Sequence, residues 1–158
     1  CKDKNVKGER IMIRIPTRVL LVDDEKEFVE MLSLRLQEAG EKVTAAYSGR
    51  ECLDILQDAP IDVVILDIKM PGMDGMETLR EIKKRFPLVE VIMLTGHGSA
   101  ETAVEGMKLG AYDYLMKPAD FDDLTTKLQG ARKRKEEQEE RIRAAEARLL
   151  VRKAGGPF

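Results

Sequence analysis

The chain changes hydrophobic period nine times in a little over a hundred residues, from strand to helix and back, and that alternation leaves few folds open. Val19–Val22, Ile61–Leu66 and Val89–Leu94 read as apolar strands suited to central positions, buried on both faces. Asp62 and Glu90, the acids inside the latter two runs, are given no role. Val43–Tyr47 alternates weakly, and Tyr112–Leu115 makes a short fifth strand. Helical spacing fills the gaps. Phe28, Met31, Leu32, Leu34 and Leu36 lie largely on one stripe before Gly40. Ser48 is an N-cap candidate for a helix from about Gly49 to Ala59, closed by Pro60. Asp74 can cap a helix through Phe86, before Pro87, and Ser99 or Ala100 starts a short one ending near Gly110. Asp120 opens a long last helix. Strand then helix, five times over, predicts an α/β fold with a parallel sheet and helices on both faces.

In an open parallel sheet, ligands bind beyond the carboxyl ends of the strands. Asp23 and Asp24 follow the first strand, Asp67 the third, Thr95 and Gly96 the fourth, and Lys117 the fifth. Asp67 stands in "VVILDIKMPGMDG", where an acid ends an apolar run just before a turn and costs desolvation unless something compensates. Taken singly, "DD" reads as a helix cap, a lone Asp after a strand as a turn residue and "KP" as a surface loop. Taken in this order they converge on one edge. Three clustered carboxylates repel one another, and a hard cation relieves the repulsion; oxygen donors suit Mg²⁺ better than zinc. His97 is the one histidine, which excludes a histidine-rich metal site. A hydroxyl, an ammonium and a metal beside a carboxylate fit phosphoryl transfer onto that carboxylate.

The motifs "VLLVDDE", "VVILDIKMPGMDG", "VIMLTGHGS" and "GAYDYLMKP" resemble the receiver domain of two-component response regulators, in order and with matching spacing over about residues 17–128. The stretch from Thr95 to Pro118 is most similar to receivers of the NtrC-like subtype. The resemblance implies a five-stranded, flavodoxin-like doubly wound sheet in the order 2-1-3-4-5. It implies Asp67 as phosphoacceptor and Mg²⁺ as cofactor, held directly by Asp24, mostly through water by Asp23, and by Asp67 and the Lys69 carbonyl. It implies Thr95 and Lys117 on the phosphoryl group, a cis Lys117-Pro118 bond, and Tyr114 as an aromatic switch coupled to Thr95. Without the resemblance, Tyr114 is a half-buried strand aromatic. Lys69 and His97 flank the site and are candidates for tuning phosphoryl lifetime.

The implied function is a phosphorylation-dependent signalling switch that accepts a phosphoryl group from a sensor histidine kinase and catalyses only its own phosphorylation and dephosphorylation. The alternative is the N-terminal receiver fragment of a transcriptional activator. An oligomerising adaptor with a vestigial site is a structural rival. A haloacid-dehalogenase-like phosphatase is the enzyme rival, but it needs a general acid two residues past the nucleophile, where this chain has Lys69.

The net charge of −2 hides a division. Residues 1–18 hold six basic and two acidic groups, residues 19–123 eleven and twenty-two, and residues 124–158 ten and five. Residues 1–16 are expected to be a partly disordered extension; Cys1 is expected to mark a trimmed end, with Met12 a candidate start. Residues 129–158 are expected to form an extended charged helix with a flexible end at Gly155-Gly156-Pro157. From Phe121 through Leu124, Leu128, Ala131, Lys135, Gln138, Ile142 and Ala145 to Leu149 the steps are three and four, a heptad seam weakened by Lys135 and Gln138. A dimerising or partner-binding helix is favoured over a solvated one. No nucleic-acid contact is expected, since acids follow "RKRK" at once. No apolar stretch reaches membrane-spanning length, and two cysteines form no disulfide framework; a cytoplasmic location is expected.

Overall fold

A computed structural model describes residues 15–70, 72–96 and 98–155. The expectations for the N-terminal extension and the flexible end fall mostly outside these residues, as does His97. Five strands, β1 (Arg18–Val22), β2 (Lys42–Ala46), β3 (Val63–Leu66), β4 (Glu90–Thr95) and β5 (Asp113–Met116), pair in parallel in the predicted order β2-β1-β3-β4-β5. They alternate with α1 (Lys26–Glu38), α2 (Gly49–Asp58), α3 (Gly75–Arg85), α4 (Ala100–Lys108) and α5 (Phe121–Lys153).

Successive strand side chains point to opposite faces, so each central strand feeds two cores. Leu20, Val22, Val64, Leu66, Val91 and Met93 pack with Cys52, Leu56, Leu79 and Ile82 of α2 and α3. Val19, Leu21, Val63, Ile65, Ile92 and Leu94 pack with Val29, Leu32 and Leu36 of α1 and with Leu124, Leu128 and Ala131 of α5. The predicted caps at Ser48 and Asp74 hold, and the helix starts at Ser99 and Asp120 are capped as well. Ser48, Asp74 and Ser99 accept from the backbone N–H of Glu51, Glu77 and Thr102 respectively, and Asp120 accepts from Asp122. Helix α1 differs: Glu25 occupies its N-cap position and makes no side-chain cap.

The amino edge of the sheet departs from the sequence reading. β3 starts at Val63, and Asp62, just before it, is buried. Its Oδ2 accepts the backbone N–H of Arg18 at 2.8 Å and Nε at 3.1 Å, its Oδ1 accepts Nη2 at 2.7 Å, and Lys135 Nζ lies 3.3 Å away. Burial by itself pushes the Asp62 carboxyl up; the Arg18 bonds and the Lys135 charge outweigh it and hold the carboxyl at about 2. Glu90 opens β4, also buried, and is gripped by Arg134 through two nitrogens and approached by Lys83 at 3.3 Å. The Arg134 guanidinium lies 5.0 Å from the centre of the Tyr112 ring.

Thus the three-and-four spacing of α5 has an intramolecular use. Leu124, Leu128 and Ala131 meet the sheet, and Lys135 meets Asp62 rather than weakening a partner seam. Farther along, Ile142 and Leu149 are 43% and 54% exposed. The helix runs without a break past residue 129 to Lys153. Among the described residues, no helix is long and apolar enough to cross a membrane.

Candidate functional site

The opposite edge gathers the residues picked out in the sequence. Asp23 and Asp67 directly follow β1 and β3, and their backbone N–H groups extend the sheet ladder, donating to the carbonyls of Ala46 and Val22 at 3.1 and 3.0 Å. Both are buried. Thr95 ends β4 and is fully buried; its carbonyl accepts the Lys117 N–H at 2.9 Å. The Lys117-Pro118 bond is cis, as predicted. The Lys117 ammonium reaches Asp23 Oδ2 at 2.5 Å and Glu25 Oε1 at 3.3 Å. The Lys69 N–H points at Asp67 Oδ1, 3.4 Å away.

Carboxylate oxygens of Asp23, Glu25 and Asp67 all lie within 4.8 Å of one another. One ammonium among three carboxylates leaves the group short of positive charge. Burial pushes the Asp23 carboxyl up, Lys117 and the Glu25 N–H pull it back, and nearby Asp67 pushes it further; the net direction is upward. Burial lowers Lys117, but the bond to Asp23 and the charges of Asp23, Asp67 and Glu25 outweigh it, and the ammonium is held above its usual range. Both groups move upward, Asp23 chiefly because burial outweighs its one shared cation, and Lys117 because several anions outweigh burial. A hard divalent cation fits such a group, because it supplies the missing charge and takes oxygen donors.

Asp24, expected as the direct ligand, is exposed and outside the trio. Asp23, expected to act mostly through water, has both oxygens occupied: Oδ1 accepts the Glu25 N–H at 2.9 Å and Oδ2 the Lys117 ammonium. Tyr114 is half-buried, its hydroxyl 3.2 Å from Met116 Sδ. It lies across Gly98, where an added Cβ would fall 1.2 Å from the hydroxyl.

Three participants were missed. Glu25 stands in "VLLVDDE", where the sequence reading gives it no role. Phe28, read as part of the apolar stripe, has its ring centre 4.0 Å from the Lys117 ammonium. Gly75, read as the close of a turn, starts α3 so near β3 that a Cβ would stand 2.3 Å from the Asp67 carbonyl and from Ile68 Cα. Only glycine lets that helix approach the end of β3.

A parallel sheet of this order, with acids after strands one and three, a buried hydroxyl after four and a lysine after five, defines a class of phosphoryl-accepting signalling module. Residues 19–129 match the response regulator receiver domain family, and the chain belongs to it. It is 42% identical over 113 residues to the transcriptional regulatory protein ZraR of Escherichia coli, covering 72% of this chain and 26% of that protein. It is 44% identical over 115 residues to a putative response regulator of the NtrX-like kind from Rickettsia bellii, covering 72% and 24%. The chain thus spans about a quarter of the length of these relatives. The crystal structure of a response regulator receiver domain protein from Clostridium thermocellum superposes with a TM-score of 0.73 at 42% identity, over 76% of this chain and 97% of that one.

Proposed function

We propose that Asp67 accepts a phosphoryl group from the phosphohistidine of a sensor kinase, and that the resulting charge alters the surface the domain offers its partners. In the transfer, the N–P bond of the phosphoramidate breaks, an O–P bond to an Asp67 carboxylate oxygen forms, and the imidazole leaves with the bond's electron pair and is protonated. In the reverse sense, water adds to phosphorus, the Asp67 carboxylate leaves, and inorganic phosphate is released. Asp23, Asp24, Asp67 and the Lys69 carbonyl would hold Mg²⁺, with Glu25 close by; a bound Mg²⁺ supplies positive charge to the phosphoryl oxygens. Lys117 neutralises a further oxygen, and the Thr95 hydroxyl donates a hydrogen bond to another. Tyr114 then responds to the movement of Thr95, and Lys69 and His97 tune the lifetime of the phosphoryl group. Cytoplasmic placement follows from a kinase donor of this kind.

The observation that carries this reading is the meeting of Asp67, Asp23 and Lys117 at one sheet edge that lacks enough positive charge. Incubation with acetyl phosphate and Mg²⁺, followed by intact mass measurement, tests it. Wild type gains one phosphoryl group and Asp67→Asn gains none; equal labelling of the two sinks the assignment.

A second reading concerns assembly. The exposed Ile142 and Leu149 beyond the docked part of α5 support weak self-association through the helix end, with a Kd of about micromolar or weaker. Sedimentation velocity on wild type and the Ile142→Asp/Leu149→Asp double variant tests this: a dimer lost in the variant supports it, and a dimer kept in the variant places the interface elsewhere.

A further inference from the structure

We propose that Phe28 is a positioning residue for Lys117: its ring face fixes the direction of the ammonium, so that the lysine can exchange one anion for another without losing its place. The inference rests on the reading of Asp67 and Lys117 given above, and it concerns a residue that reading does not use.

Helix α1 supplies the geometry. Its N-cap residue, Glu25, has an extended backbone (φ −82°, ψ 95°) and does not cap. Its carboxylate goes to Lys117 instead, at 3.3 Å. Three residues on, Phe28 packs against the core shared by α1 and α5. Its ring centre is 4.0 Å from Lys117 Nζ, well inside the distance at which a cation is attracted to an aromatic face. The lysine side chain is 13% exposed, so the ring acts where water competes little.

The three partners of the ammonium differ in how they respond to a phosphoryl group. Glu25 is 61% exposed and its contact is long; a phosphoryl oxygen displaces it readily. Asp23 is buried at 2.5 Å but belongs to the same carboxylate group that would hold the metal. The ring carries no net charge, and its attraction is indifferent to which anion the cation faces. Phe28 is therefore the partner that stays constant while the anions change. A lysine held on a flexible four-carbon stem loses much rotamer freedom when it is fixed; an ammonium already seated on a ring has lost it before the phosphoryl group arrives, and that is preorganisation.

The test separates ring from bulk. Phe28→Met keeps an apolar side chain of similar size and removes the π face; Phe28→Tyr keeps both. Phosphorylation by acetyl phosphate is followed at saturating Mg²⁺, with Mg²⁺ affinity measured separately. Phe28→Met is expected to slow phosphorylation by about three- to tenfold, with Mg²⁺ affinity unchanged within twofold and Phe28→Tyr within twofold of wild type. A readout independent of phosphorylation is the Lys117 Hε resonance in lysine-labelled protein, assigned with Lys117→Arg. It should be shifted upfield by the ring current in wild type and Phe28→Tyr, and move toward the ordinary lysine position in Phe28→Met. A Lys117 resonance at the ordinary position in wild type, or equal rates for the Met and Tyr variants, overturns the proposal while leaving Asp67 labelling intact. Labelling that survives Asp67→Asn overturns the underlying reading, and the resonance shift still reports on Phe28 alone.

Discussion

The two edges of the sheet both carry buried carboxylates, and they treat them oppositely. At the amino edge Asp62 has a guanidinium and an ammonium, and Glu90 has a guanidinium and an ammonium of its own. Asp62 is accordingly held at about 2. At the carboxyl edge Asp23, Glu25 and Asp67 share Lys117, and Asp23 is pushed upward. At the amino edge each buried carboxylate has two cations; at the carboxyl edge three carboxylates share one, and that shortage of positive charge is what supports the proposed cation and phosphoryl group there. The ion pairs at the amino edge have a further consequence. They fasten α5 at Arg134 and Lys135, below the last core residue Ala131, so the direction of the helix there is set by Asp62, just before β3, and Glu90, at the start of β4, as well as by the apolar core.

The largest expected effect breaks the satisfied edge. Asp62→Ala takes from Arg18 its carboxylate and leaves the buried Lys135 with Glu139 alone, and should lower the unfolding free energy by ~3 kcal/mol, measured by urea denaturation. Asp23→Asn, made at the other edge without metal, should lose far less, because its charge is poorly compensated. A loss as large for Asp23→Asn would mean that the two edges are electrostatically alike.

Acid titration sharpens the same contrast. A carboxyl whose folded pKa lies below its unfolded value stabilises the fold where it is ionised. Asp62, at about 2 against an ordinary 3.8, contributes ~2 kcal/mol above pH ~4 that disappears as pH falls toward ~2. The gap in unfolding free energy between wild type and Asp62→Asn should therefore close over that interval. A gap of constant size down to pH 2 would refute the linkage.

At the carboxyl edge the expected effect is smaller. Asp24→Ala should weaken Mg²⁺ binding by about tenfold, ~1.4 kcal/mol, and more than Asp23→Ala does, because both Asp23 oxygens already have donors while Asp24 is exposed. Calorimetric titration checks it. A greater loss for Asp23→Ala would make the buried acid the principal ligand.

The smallest effect concerns how α5 passes the sheet. Replacing a helix-interior glycine by alanine ordinarily stabilises by ~1 kcal/mol. At Gly130 an added Cβ would lie 2.2 Å from the Tyr112 hydroxyl, so Gly130→Ala should gain less than that, or lose. A full gain in thermal or urea denaturation would show that Tyr112 moves aside freely.

Much of this molecule is legible in its sequence. The caps at Ser48 and Asp74 and the helix starts at Ser99 and Asp120 are local statements, and local statements can be read from neighbours in the chain. Asp23, Asp67, Thr95 and Lys117 were legible because each stands at a strand end, where topology alone sends it to one edge. Asp62 and Glu90 are not legible as ion-pair sites, because a single acid near the start of an apolar run looks like a flank and its partners lie far away in the chain. Three-and-four spacing reports that α5 has an apolar stripe and says nothing about whether a partner or its own sheet covers it; as far as Ala131 the sheet does.

Sequence by itself determined the alternation of periods, and with it the parallel sheet, the two cores and the order in which acids, hydroxyl and lysine come to the carboxyl edge. These follow from side-chain periodicity and chain connectivity, which are properties of neighbours. Only tertiary structure decided that Lys135 meets Asp62, 73 positions away in the chain, that Arg134 grips Glu90, and that Phe28 lies under Lys117. Each of these pairs joins two segments whose separation in sequence carries no periodic signal. Their energies depend on burial, and burial exists only once the layers have packed.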